Sequence, residues 1–162
     1  MFKVKDKIVY PMHGIGIIES IERKTVLGKK DEYYIINILN SGMKVMIPVK
    51  NAATIGIRGI INKKEITKVL NLLKKPPTDT EENWKLRYQI NIDKVKSGSI
   101  IEVSTVLRDL YRRGKEKDLS IMERKLYENA YQLVIYEIAL AKNIEIAEAG
   151  NLVSGALAHA SS

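Results

Sequence analysis

The tandem proline Pro76-Pro77 constrains this chain most. Neither residue can continue a helix or donate to a sheet ladder, so the pair reads as a stiff connector between two differently patterned parts. Directly after it runs Thr78-Asp79-Thr80-Glu81-Glu82-Asn83-Trp84-Lys85-Leu86-Arg87-Tyr88, an acidic stretch leading into the one tryptophan of the protein. Thr78 and Glu81 have the spacing of a capping box, which predicts a helix start with Trp84 in or just after its first turn. A large apolar ring beside Lys85 and Arg87 suits either a wedge for nucleic acid or an anchor in a core. At helical spacing Trp84, Tyr88, Ile92 and Val95 form one stripe, which favours the core. The alternation Trp84, Leu86, Tyr88, Ile90, Ile92 would also suit a strand.

Charge follows the same division. Residues 1–75 carry 15 Lys and Arg against 6 Asp and Glu, and residues 76–162 carry 12 against 13, within a formal net charge of +8. A basic chain of this kind suits a polyanionic partner such as nucleic acid, although basic charge alone also fits a soluble protein with no such partner. With no cysteine in the sequence, disulfides, thiolate catalysis and cysteine-bearing zinc sites are excluded. No long apolar span predicts a membrane crossing, and Met1-Phe2-Lys3-Val4-Lys5 lacks the apolar run of a signal peptide, so a cytoplasmic protein is expected.

Before the prolines the pattern is β. Lys7-Ile8-Val9-Tyr10, the isoleucine-rich Ile15–Val26, Glu32–Leu39 and Met43–Val49 read as strands. Leu27-Gly28 and Asn40-Ser41-Gly42 supply the turns. Several short strands in about sixty residues suggest a small barrel. Asn62, with Glu65 three residues on, predicts a helix through Leu73. Gly14-Ile15-Gly16 lacks the third glycine of a dinucleotide loop and reads as turn structure. His13 has no second ligand nearby, so no metal is expected. No nucleophile, acid/base pair or cofactor motif appears, and no enzyme activity is expected.

After the prolines the pattern is helical. Ser99/Glu102 and Ser120/Glu123 are two further capping boxes. One opens a helix with the stripe Val103, Val106, Leu107, Leu110 and Tyr111, ending at Gly114. The other runs to about Lys142, with Met122, Leu126, Ala130, Leu133, Val134 and Ile138 inward. A weaker segment follows Asn143, and the small apolar stretch from Leu152 to Ser162 predicts a frayed end. The whole reads as α+β: a small β-barrel over 1–74, a linker at 75–79 and a helical bundle over 80–162. Arg108, Arg112, Arg113, Lys115 and Lys117 cluster late in the second helix, with Arg124 and Lys125 in the first turns of the third. They suit either phosphate contact or a solvated, salt-bridged surface.

Val9-Tyr10-Pro11-Met12-His13-Gly14-Ile15-Gly16, the turn at Gly28 and Ile47-Pro48-Val49 resemble the N-terminal module of CarD/CdnL transcription regulators. Asn83-Trp84, Val106-Leu107-Arg108-Asp109-Leu110-Tyr111-Arg112-Arg113 and Leu119-Ser120 resemble the C-terminal domain of the same family. The N-terminal module is similar to that of transcription-repair coupling factors, but 162 residues leave no room for their helicase motor. The resemblance implies a Tudor-like barrel that binds the β subunit of RNA polymerase. It also implies a tryptophan, here Trp84, that meets the upstream edge of melted promoter DNA. Lys85, Arg87, Arg112, Arg113, Arg124 and Lys125 are then expected to contact that DNA. The polymerase-facing strands often carry two basic residues in the family. Lys24 fills the first position, Met46 stands at the second, and Lys44, two residues away on the same strand face, is a substitute. The partners expected are therefore the polymerase β subunit and upstream promoter DNA, with no cofactor and no membrane. A monomer is expected, with a dimer left open. The rival reading is a general RNA- or ribosome-binding protein that uses the basic barrel.

Overall fold

The structure is a computed structural model and describes residues 1–78 and 81–159. Contacts divide the chain into two compact units, Met1–Ile60 and Ile61–Ser162.

The first unit is a five-stranded antiparallel sheet in the order β4-β3-β2-β1-β5. Its strands are β1 Lys7–Tyr10, β2 Gly14–Val26, β3 Lys29–Ile38, β4 Lys44–Pro48 and β5 Arg58–Gly59, with a short helix α1, Ala52–Ile55, before β5. The expected barrel is not closed, because β4 and β5 each pair on one side only. Ile8, Ile18, Tyr34, Ile36, Ile38 and Ile47 form the core on one face, and burying side chains of this size stabilises by about 1.5–3 kcal/mol each. Leu27 and Gly28 join β2 to β3 with φ of 52° and 79°; two positive values in succession give the primed turn that matches strand twist.

The register carries one irregularity. Ile36 lies opposite Ile18 and Ile35 opposite Ser20, so Glu19 is an extra residue on β2. The bulge reverses the alternation of β2 from there on. Ser20, Glu22 and Lys24 therefore point away from the core, while Ile21 turns toward it. Gly16 sits inside β2, where a β-carbon would strike the Ile36 side chain, so this glycine serves close strand packing rather than the turn expected of it.

The second unit is all helical: α2 Lys63–Leu73, α3 Trp84–Lys96, α4 Ile100–Glu116, α5 Ile121–Lys142 and α6 Ile146–His159. Three of the expected caps are present. Asn62 and Glu65 make the complete reciprocal box, and the Ser99 and Ser120 hydroxyls accept from the amides of Glu102 and Glu123. The Thr78/Glu81 box is not. Thr78 instead donates its amide and hydroxyl to Asp109, and α3 is capped by Asn83, whose side chain accepts from the amides of Lys85 and Leu86. Asp79 and Thr80, inside the expected 75–79 linker and at its border, lie outside the described residues.

The sequence groups α2 with the strands, in a domain reaching residue 74. The structure corrects this: the buried face of α2, Ile66, Val69 and Leu73, packs on α4, α5 and α6. Gly114 does not end α4, because its backbone stays helical; Lys117, extended at φ −141° and ψ 157°, ends it. Nor does the chain fray from Leu152. Val153, Ala156 and Leu157 are buried on α6, and Asn143, left-handed at φ 56°, closes α5 to redirect the chain into that helix.

Candidate functional site

Two surfaces collect the residues picked out from the sequence. One is the sheet face opposite the core, together with the β4 edge. Lys44 and Met46 alternate with the buried Ile47 on β4, so both point away from the core. The register places Met46 opposite Ile35, and Ile35 opposite Ser20. Lys24 follows Ser20 by four residues on β2, so Lys24, Lys44 and Met46 share one face. Met46 is 45% exposed. Both lysines hold exposed carboxylate partners, Lys24 with Glu22 at 3.6 Å and Lys44 with Glu19 at 3.3 Å. Such pairs contribute about 0–1 kcal/mol and exchange readily for a partner's carboxylate.

The backbone of β4 has a definite polarity. The Ile38 amide donates to the Met43 carbonyl, so residues 38 and 43 form a hydrogen-bonded pair. Alternation makes Ile36–Val45 and Tyr34–Ile47 the next such pairs. Lys44 and Met46 then direct their amides and carbonyls outward, away from β3. Pro48 follows in the same outward phase, where its missing N–H costs nothing.

The other surface is the end of the helical unit where α3 and α5 begin. Trp84 is the first residue of α3 and is 42% exposed. It is therefore not the buried end of the stripe formed by Ile92 and Val95, which are buried. The Lys85 ammonium lies 6.0 Å from the indole centroid. Arg124 and Lys125, both exposed, sit in the first turns of α5.

Arg87, expected among the DNA contacts, is a buried side chain. It is 5% exposed and forms a bidentate pair with Glu123, Nε to Oε2 at 2.7 Å and Nη2 to Oε1 at 3.0 Å. Its Nη1 donates to the Glu81 and Glu82 carbonyls at 3.0 and 3.4 Å. Glu123 is 1% exposed. Burial opposes its ionisation, but hydrogen bonds and charge from Arg87, with bonds from Ser120, outweigh this and hold its carboxyl below the usual carboxylate range. The pair is thus charged at neutral pH.

Arg112 is likewise withdrawn from solvent, at 9% exposure, with its guanidinium 5.5 Å from the Tyr111 ring centroid. Arg113 is half-buried and donates to the Glu81 carbonyl at 3.3 Å. Arg108, which the sequence groups with the same surface cluster, is 3% exposed. It bonds Asp109, the Leu72 carbonyl and the Thr78 hydroxyl. The sequence signal for these burials is weak. α4 carries two of its three arginines at positions 108 and 112, one turn apart, on the side shared with the buried Ser104. Glu123 is legible in the sequence only as a capping residue; its service to Arg87 depends on a contact 36 residues away.

Among the described residues no group of three or more His, Cys, Asp or Glu is placed to hold a metal ion, and no helix is long and apolar enough to cross a membrane.

Comparison with known proteins supplies the remaining findings. Residues 2–61 match the family model described as the CarD-like/TRCF RID domain, and residues 68–154 match that of the CarD C-terminal domain. A Bacillus subtilis (strain 168) protein named "Putative transcription factor YdeB" is 42% identical over 144 residues, covering 89% of this chain and 94% of its own length. Two solved N-terminal domains from Myxococcus xanthus also match. That of CarD is 30% identical, over 36% of this chain and 79% of its own, with a TM-score of 0.32. That of CdnL is 40% identical, over 39% and 89%, with a TM-score of 0.34.

Proposed function

The chain belongs to the CarD family of transcription factors, which are regulators and not enzymes, and from that premise we propose that it stabilises the open promoter complex. The strand unit, of the RNA-polymerase-interacting RID type, would hold the polymerase β subunit. The helical unit would hold duplex DNA just upstream of the bubble, with Trp84 against the fork. The observation that carries this reading is the 42% exposure of the one tryptophan, at a helix start, with Lys85 against its ring. Exposing so large an apolar ring forfeits burial free energy, so a partner that covers it is the economical explanation. Two modest contacts to one assembly reinforce each other through effective concentration.

For the polymerase contact, the outward phase of β4 supports strand addition by the partner at Lys44–Met46. Met46→Pro removes an outward amide and leaves the ladder to β3 whole, whereas Val45→Pro would break that ladder. Met46→Pro is expected to weaken capture of isolated polymerase β fragments by the full chain while leaving its circular dichroism unchanged. Undiminished capture would contradict strand addition.

Of the cations expected to contact DNA, Lys85, Arg124 and Lys125 are exposed and Arg113 is half-exposed. Neutralising about four phosphates gives a log–log salt slope of about −3.6. Lys125→Gln is expected to flatten the slope by about one unit without altering sequence preference. Arg87→Lys should affect the slope little, since that guanidinium is engaged internally. A salt-independent interaction would leave these cations as ordinary solvated surface. Recovery of RNA or ribosomes in place of polymerase would favour the general nucleic-acid reading.

A further inference from the structure

We propose that Arg87 is the positioning residue of Trp84, holding the exposed indole in a fixed attitude before any DNA arrives; this rests on the wedge reading above. The first turn of a helix lacks internal partners for its amides and frays readily. A side chain at the first helical position would therefore swing with its backbone unless something else secured it. Here the backbone around Trp84 is secured on both sides. Asn83 caps the amides of Lys85 and Leu86, and the Glu81 carboxylate accepts from the Asn83 amide at 3.0 Å. Arg87 then joins the carbonyls of Glu81 and Glu82, immediately before the cap, to the Glu123 carboxylate in the first turn of α5. Arg113, on α4, adds a bond to the Glu81 carbonyl.

One guanidinium thus ties the α3 entry segment to the start of α5. The planar fork can satisfy a carboxylate bidentately on one edge and carbonyls on another, which a lysine ammonium cannot reproduce. A buried ion pair kept only for stability could be exchanged for an apolar pair of similar volume with little loss. What the apolar pair would lose is the hold on the two carbonyls. Preorganising a contact group in this way removes the ordering cost at the moment of binding.

Trp84 is the only tryptophan, so indole fluorescence reports its motion without interference. The test uses the full chain carrying Arg87→Met with Glu123→Leu, and separately Arg87→Lys in case the double replacement does not fold. In free protein that retains its helical circular dichroism, the indole anisotropy decay is expected to gain a fast local component. With polymerase on a weak promoter, the open-complex lifetime is expected to fall by about threefold, toward the low end of what neighbouring groups contribute to one another. Unchanged indole motion in a folded variant would overturn the positioning role. So would a loosened indole with unchanged lifetime where Trp84→Ala does shorten it. If Trp84→Ala also leaves the lifetime unchanged, the wedge reading itself fails.

Discussion

Trp84→Ala is expected to shorten the open-complex lifetime about tenfold on a weak promoter while leaving polymerase capture and the thermal melt nearly unchanged. The magnitude follows from the fork. Unstacking a base step costs a few kcal/mol, and an apolar ring packed against it recovers part of that; a recovery of about 1.4 kcal/mol corresponds to tenfold. The small effect on stability follows from exposure. Truncating a buried aromatic costs about 3–5 kcal/mol, but a ring that is 42% exposed at a helix end has much less packing to lose. Open-complex decay and thermal melting of the same variant check both halves. A lowered melting temperature with normal decay would show a structural tryptophan.

Arg108→Ala is expected to destabilise the helical unit by about 3–5 kcal/mol, because it strands a buried carboxylate. Asp109 is 3% exposed and would be left with the amide and hydroxyl of Thr78 as donors, at the long distances of 3.3 and 3.4 Å. The Leu72 carbonyl at the end of α2 would lose its guanidinium as well. For a helical unit of this size, each kcal/mol shifts the melting temperature by about 4–8 °C, so a loss of more than about 12 °C is expected. Thermal melting followed by circular dichroism measures it. Asp109→Asn in the same background should recover part of the loss, since it neutralises the stranded charge. A melting temperature within a few degrees of the parent would return Arg108 to the surface cluster in which the sequence places it.

The parts of the fold that are legible from sequence rest on local chemistry. Asn62, Ser99 and Ser120 each announce a helix through a side chain that reaches an amide three residues on, and each does so in the structure. Strand boundaries near Tyr10 and Val26 follow from Pro11 and Gly28. The parts that are not legible depend on partners far along the chain. Thr78 has the spacing of a cap, but Asp109, 31 residues away, claims its hydroxyl. Arg87 and Arg112 look like surface cations until Glu123 and the packed flank of α4 enclose them. The bulge at Glu19 inverts which side chains of β2 face the core, and nothing in the alternation announces it. For Trp84, the residues alone leave core and wedge both open, because periodicity gives the direction of a side chain but not where the neighbouring helices stop.

The most direct test of the central claim is site-specific photo-crosslinking from position 84. The full chain carrying p-benzoylphenylalanine in place of Trp84 is bound to polymerase on a promoter and irradiated in the open complex. Crosslinks confined to bases at the upstream edge of the bubble, disappearing when opening is blocked, are the predicted result. Crosslinks to protein alone, or to DNA independently of opening, would contradict it.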